Sequence, residues 1–153
     1  MILNLVAQLL EQKKETLVTV ESCTGGGIAA HCTSLSGSSV WFQGGWVTYS
    51  NEMKVNLGVP AQLIEQHGAV SSEVAAAMAE QGLFNSSADW AISVTGVAGP
   101  GGGSVEKPVG TVWFGLASKN KVYTFKRCFE GDREAVRAQT CRYALEQLTL
   151  YLR

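Results

Sequence analysis

The sequence predicts an α/β domain: a mixed, mostly parallel sheet of about five strands with helices packed on both faces. Three observations predict it. Short β-branched runs alternate with helical segments as far as Thr95, which requires crossover connections and parallel pairing. A glycine-rich turn joins the first of these runs directly to a helix. Two later runs, separated only by Lys119-Asn120-Lys121, form a hairpin and add an antiparallel member.

Each element follows from its local chemistry. Ile2, Leu3, Leu5, Val6, Leu9 and Leu10 recur at helical spacing, and Lys13-Lys14 supplies the positive charge that suits a helix C-terminus. Leu17-Val18-Thr19-Val20 is a β-branched run with the character of a central strand. It breaks at Glu21-Ser22-Cys23-Thr24-Gly25-Gly26-Gly27 and leads into an apolar helix over Ile28–Leu35. Gly44–Tyr49 is the second strand. Asn51–Leu57 and Pro60–Gln66 are short helices, the second opened by a proline suited to a first turn. Ser71 or Ser72 caps a helix that runs through Ala75, Ala76, Ala77 and Met78. Trp90–Thr95 is the third strand, followed by a glycine-dense loop. Thr111–Ser118 and Val122–Phe129 are the hairpin strands, and Asp132–Leu152 closes the chain as a long amphipathic helix. In such sheets, sites gather in loops at the carboxyl ends of the strands, where Ser22, Tyr49 and Thr95 fall.

The totals narrow the function. A length of 153 residues suits one domain, spanning 1–153, with a substantial core. Hydrophobic residues make up 46% of the chain and charged residues only 16%, so part of the surface is expected to be covered, most simply by a second copy in a homodimer. A net charge of −1 provides no field to attract nucleic acid or an anionic membrane. Lys119, Lys121, Lys126 and Arg127 read as a solvated hairpin, since no aromatics interleave with them as a stacking platform would require. Cys23, Cys32, Cys128 and Cys141 form no CxxC pair and no Cys/His cluster with zinc spacing, so free thiols and no metal are expected. With no signal-peptide pattern and no apolar run of about 18 residues, a reducing cytoplasm is the expected location.

The run GSSVWFQGGWVTYSNEMK, Gly37 to Lys54, places two serines, a tyrosine and a lysine where one α/β turn can gather them. A hydroxyl needs a neighbouring base to become a nucleophile at neutral pH, and the chain has only two histidines. His31 and His67 read as structural, which leaves a deprotonated lysine as the natural base. A lysine titrates at about 10.4 in water, so Lys54 can serve only if burial or a nearby cation lowers that value. Taken alone, Lys54 also fits a surface helix lysine paired with Glu52, and Ser38-Ser39 also fits a helix cap.

Other segments carry two readings each. ESCTGG, Glu21–Gly26, is either an anion cradle built from N–H groups and the Ser22 and Thr24 hydroxyls, or a tight strand-to-helix turn. No GK[ST] follows it, which argues against ATP use. Cys23 could be a thiol nucleophile, but no His–Asn partnership supports it. The loop from Gly96 to Gly103 is a close-approach or lid segment, or a flexible connector. Arg133 and Arg137 lie four apart near the start of the last helix, where they suit either a phosphate or surface ion pairs.

Six motifs occur in order: ESCTGG at Glu21–Gly26, GSS at Gly37–Ser39, VTYSNEMK at Val47–Lys54, HGAVS at His67–Ser71, TGVAGPGGG at Thr95–Gly103 and KPVGTV at Lys107–Val112. Together they resemble the C-terminal domain of CinA, the nicotinamide-nucleotide amidase family, called PncC where the domain stands alone. The resemblance covers nearly the whole chain. It implies a three-layer α/β/α sandwich, usually dimeric, and a cofactor-independent, stand-alone amidase converting nicotinamide mononucleotide to nicotinate mononucleotide and ammonia. Carried over by position, the family's nucleophile falls on Ser39 and its lysine on Lys54. Tyr49 lies between them, Thr95 in the pocket, and Arg137 is the matching arginine of the last helix. The substrate's phosphoribosyl end is then expected at Ser22, Thr24, Gly25, Gly26, Arg137 and Lys107, with Gly96 a further substrate contact. The competing expectations are a catalytically silent nucleotide-binding or assembly module of the same fold, and a hydrolase of another amide-bearing nucleotide.

Overall fold

The computed structural model describes all residues from Met1 to Arg153. In chain order the elements are α1 (Ile2–Lys13), β1 (Leu17–Glu21), α2 (Gly27–Thr33), a 3-10 turn (Ser38–Val40), β2 (Phe42–Val47), α3 (Asn51–Leu57), α4 (Ala61–His67), α5 (Ser72–Phe84), β3 (Trp90–Gly96), β4 (Thr111–Ser118), β5 (Lys121–Cys128) and α6 (Arg133–Leu152). The sheet order is β2-β1-β3-β4-β5. β1 pairs in parallel with β2 and β3, while β4 runs antiparallel to β3 and to β5. Only β4 therefore points against the other strands.

Period-two alternation along β1 divides the core. Leu17 packs with Ile92, Val94 and Phe114 beneath α1, α2 and α6, whereas Val18 and Val20 face α5 on the other side. All five β1 residues are buried, as a central strand covered on both faces requires. The layers approach closely at Gly115, where an added Cβ would collide with Ala75 O and Ser93 Oγ.

The expected elements appear, with shifts that have physical causes. β2 covers Phe42–Val47 instead of Gly44–Tyr49. It starts earlier because the Leu17 N–H donates to Trp41 O at 2.8 Å and draws the segment alongside β1. It ends earlier because the carbonyls of Thr48 and Tyr49 turn away to a side chain, that of Lys54. α2 stops at Thr33, where the hydroxyls of Thr33 and Ser34 donate back to the carbonyls of Ala29 and His31. Of the two serines considered as the α5 cap, Ser71 holds the position and accepts from the Val74 N–H.

Candidate active site

The ladder continues one residue beyond the strands and fixes the site. The Ser22 N–H donates to Val94 O at 3.0 Å, and the Thr48 N–H donates to Glu21 O at 2.8 Å. Ser22 and the segment entering α3 are thus held side by side at the carboxyl ends of adjacent parallel strands. Ser50 caps α3, its hydroxyl accepting from the Met53 N–H at 3.0 Å, and that register turns Lys54 inward.

Lys54 is 1% exposed. Its Nζ lies 2.9 Å from Ser22 Oγ, 2.9 Å from Thr48 O and 3.0 Å from Tyr49 O. Burial depresses its pKa from 10.5 to about 8, with the neighbouring Cys23 acting weakly the other way. As an ammonium, Lys54 donates to all three oxygens, and the Ser22 hydroxyl can donate to Tyr49 O at 3.3 Å. As an amine it keeps two N–H bonds to the carbonyls and turns its lone pair to Ser22. A hydroxyl facing that lone pair can lose its proton as it attacks a carbonyl carbon.

The pair opens into a cleft of about 280 Å³, bordered by Cys23, Tyr49, Thr95, Gly96 and Arg133. A larger hollow of about 580 Å³ lies along β2 and α3 between Trp46, Leu57 and Asn85, but no titratable group lines it. Chemistry, not volume, selects the smaller cleft. Cys23 is buried beside the pair, and its thiol is pushed up to about 12, chiefly by desolvation. Such a neutral thiol is a poor nucleophile.

Within one chain the serine that meets Lys54 is Ser22, not the expected Ser39. Ser39 is exposed and lies in the 3-10 turn before β2, at the end of the sheet where β1 begins. The six residues of β2, roughly 20 Å of strand, separate that end from Lys54 within one chain. Tyr49 contributes its carbonyl to the pair, while its phenol oxygen accepts from Arg133 Nη2 at 3.3 Å. Thr95 borders the cleft, but its hydroxyl proton is directed to Ala69 O at 2.9 Å. Gly96 borders it too.

The ESCTGG turn has its own internal order. Gly25 and Gly26 adopt the left-handed conformation, with φ of 58° and 99°, which a side chain would strain. The first amides of α2, at Ile28 and Ala29, are occupied by the Glu21 carboxylate at 2.9 and 3.0 Å, so they cannot cradle a phosphate. Arg137 is likewise engaged: Nε donates to Cys23 O and Nη2 to Thr24 O, each at 3.1 Å. Arg133, one turn earlier, is the arginine that borders the cleft, and its Nη1 donates to Gly99 O at 2.8 Å. Lys107 is not in the cleft. Its Nζ donates to His67 O at 2.7 Å beside a neighbouring hollow.

Sequence reasoning thus placed Ser22 at the site among the substrate contacts without pairing it with Lys54, and it gave Glu21 no role of its own. For Glu21 the signal was available: a carboxylate ahead of a glycine turn and helix is a capping pattern.

The fold and the pair define a class: an α/β/α domain whose sheet presents a serine hydroxyl to a buried lysine amine. The chain belongs to the CinA family: the model of the CinA C-terminal domain matches residues 1–152. It is 50% identical over 145 residues to the nicotinamide-nucleotide amidohydrolase PncC of Escherichia coli (strain K12), covering 94% of this chain and 88% of that protein. It is 53% identical over 133 residues to the protein of the same name from Pseudomonas putida, covering 86% and 83%. Among solved structures, competence damage-inducible protein A (ComA) from Klebsiella pneumoniae superposes with a TM-score of 0.96 at 39% identity, covering 99% of this chain and 94% of that one.

Proposed function

We propose that this chain hydrolyses the carboxamide of nicotinamide mononucleotide, releasing ammonia and nicotinate mononucleotide, with Ser22 as nucleophile and Lys54 as its base. The observation that carries the reading is the 2.9 Å approach of Lys54 Nζ to Ser22 Oγ in a buried, strand-anchored setting. The names of the PncC relatives support the substrate.

Ser22 Oγ attacks the carboxamide carbon as its proton passes to Lys54 Nζ. The Cys23 and Thr24 N–H groups, which make no hydrogen bond within the chain, receive the developing oxyanion. Thr95 Oγ1, its proton committed to Ala69 O, accepts from the carboxamide N–H and orients the leaving nitrogen. Lys54 then protonates that nitrogen, the C–N bond breaks, and an ester to Ser22 remains. Water attacks the ester, giving one proton to Lys54, which returns it to Ser22 Oγ. Arg133 meets the nucleotide phosphate at the outer rim.

The same reading includes a homodimer in a reducing cytoplasm. Val40, Val47, Tyr49, Met53 and Val55 are exposed on and around the free β2 edge, and Cys23, Cys32 and Cys141 are buried free thiols. No helix is long and apolar enough to cross a membrane.

The test is ammonia release from nicotinamide mononucleotide by the purified chain. Ser22→Ala and Lys54→Ala should each lower kcat on the order of 10⁴-fold, while Ser39→Ala retains activity. Loss of activity in Ser39→Ala with retention in Ser22→Ala would return the nucleophile to Ser39. Binding without release would favour a silent module.

A further inference from the structure

We infer that Glu21 is a positioning residue for the nucleophile turn, acting through the Thr24 hydroxyl and the start of α2. The inference rests on Ser22 being the nucleophile. Glu21 is 1% exposed and has no cationic partner. A lone buried carboxylate would be costly without donors, and four converge on it. The Thr24 hydroxyl and the Ile28 N–H meet Oε1, while the Ala29 N–H and, at 3.5 Å, the Thr19 hydroxyl meet Oε2. The carboxylate therefore ties the end of β1, the middle of the turn and the first turn of α2 to one point.

Peptide planarity transmits this order to the N–H groups beside Ser22. In a trans peptide the C=O and the following N–H point in opposite directions. The Gly25 N–H holds Ser22 O at 3.0 Å, which sets the direction of the Cys23 N–H. Arg137 Nε holds Cys23 O at 3.1 Å, which sets that of the Thr24 N–H. Glu21 secures the same turn from the core side through Thr24. None of the four donors on Glu21 is Lys54, so its task is the geometry of the turn.

The test is the rate at which a fluorophosphonate labels Ser22 in the full chain, followed by intact-protein mass against pH. Labelling forms an Oγ–P bond and breaks P–F, with the hydroxyl proton passing to Lys54, and it requires the same oxyanion donors but no nucleotide. Thr24→Val should slow labelling about tenfold and Glu21→Gln about thirtyfold or more, with the midpoint of the pH profile unmoved. Thr24→Ser should recover most of the loss seen in Thr24→Val. If Glu21→Gln does not fold, as judged by thermal unfolding, Thr24→Val carries the test alone. Rates within about twofold of the unaltered chain, or a loss that travels with a shifted midpoint, would overturn the inference. A chain that labels at Ser22 but releases no ammonia from nicotinamide mononucleotide would refute the proposed substrate, and the labelling rates would still decide the role of Glu21. An unaltered chain that never labels at Ser22 would overturn both.

Discussion

Lys54 combines a cost to folding with a gain in chemistry. Its pKa of about 8 means that activity should rise with pH, one decade per unit, and level off above about pH 8. The sign for stability follows from proton counts. Between the folded value and the ordinary 10.5, the unfolded chain binds more protons, so stability increases with pH across that window. The burden is full below pH 8 and amounts to roughly 3 kcal/mol. Chemical denaturation of the unaltered chain and of Lys54→Met from pH 7 to 10.5 should show the difference between them changing by about that amount in favour of lysine. Arg133→Ala should raise KM for nicotinamide mononucleotide by about tenfold to a hundredfold, the worth of a charged hydrogen bond. Lys54 was legible because a hydroxyl nucleophile needs a base and the chain has few. Its partner was not. Choosing between Ser22 and Ser39 requires knowing that β1 lies beside β2 and that both end at the same edge, which no local pattern encodes.

At the level of elements, caps and close approaches set the positions. Asp132 caps α6 by accepting from the Ala135 N–H at 2.9 Å, and Arg133 follows it directly. Asp132→Ala should cost about 1 kcal/mol and also raise KM, because Arg133 loses its anchored first turn. Gly115→Ala tests the opposite case. Its Cβ would meet the α5 backbone at Ala75 O, so unfolding should become easier by about 1–3 kcal/mol, with kcat unchanged in the folded fraction. Helix starts were largely readable, since Asn51, Ser71 and Asp132 carry local signatures. The end of β2 was misread by two residues because Thr48 and Tyr49 have strand-forming side chains, but their carbonyls serve Lys54. Here a functional demand overrides propensity.

For the whole molecule, the sheet leaves two edges, β2 and β5, and they differ in character. β5 carries Lys121, Lys126 and Arg127, charges that discourage edge pairing. The β2 edge instead has exposed Val47, with Met53 and Val55 on the adjoining α3. Light scattering after size exclusion should therefore give twice the chain mass. Met53→Lys combined with Val47→Lys should shift it toward the monomer. The layered architecture was legible from strand–helix alternation and the late hairpin, because crossover rules leave few arrangements. The site required that architecture first, since its residues are separated in sequence and meet only where two parallel strands end together.

That meeting place makes the reactive pair unusually portable. The amine is steadied by carbonyls from its own preceding turn, and the hydroxyl by the neighbouring strand, so two short stretches, residues 21–26 and 47–54, contain every hydrogen-bond partner of Lys54 Nζ. A protein engineer could transplant both stretches onto any scaffold with two adjacent parallel strands of matching stagger and an apolar roof. Ser22 reactivity in such a graft would still need stand-ins for the α2 amides that hold Glu21 and for the Arg137 side chain that holds Cys23 O.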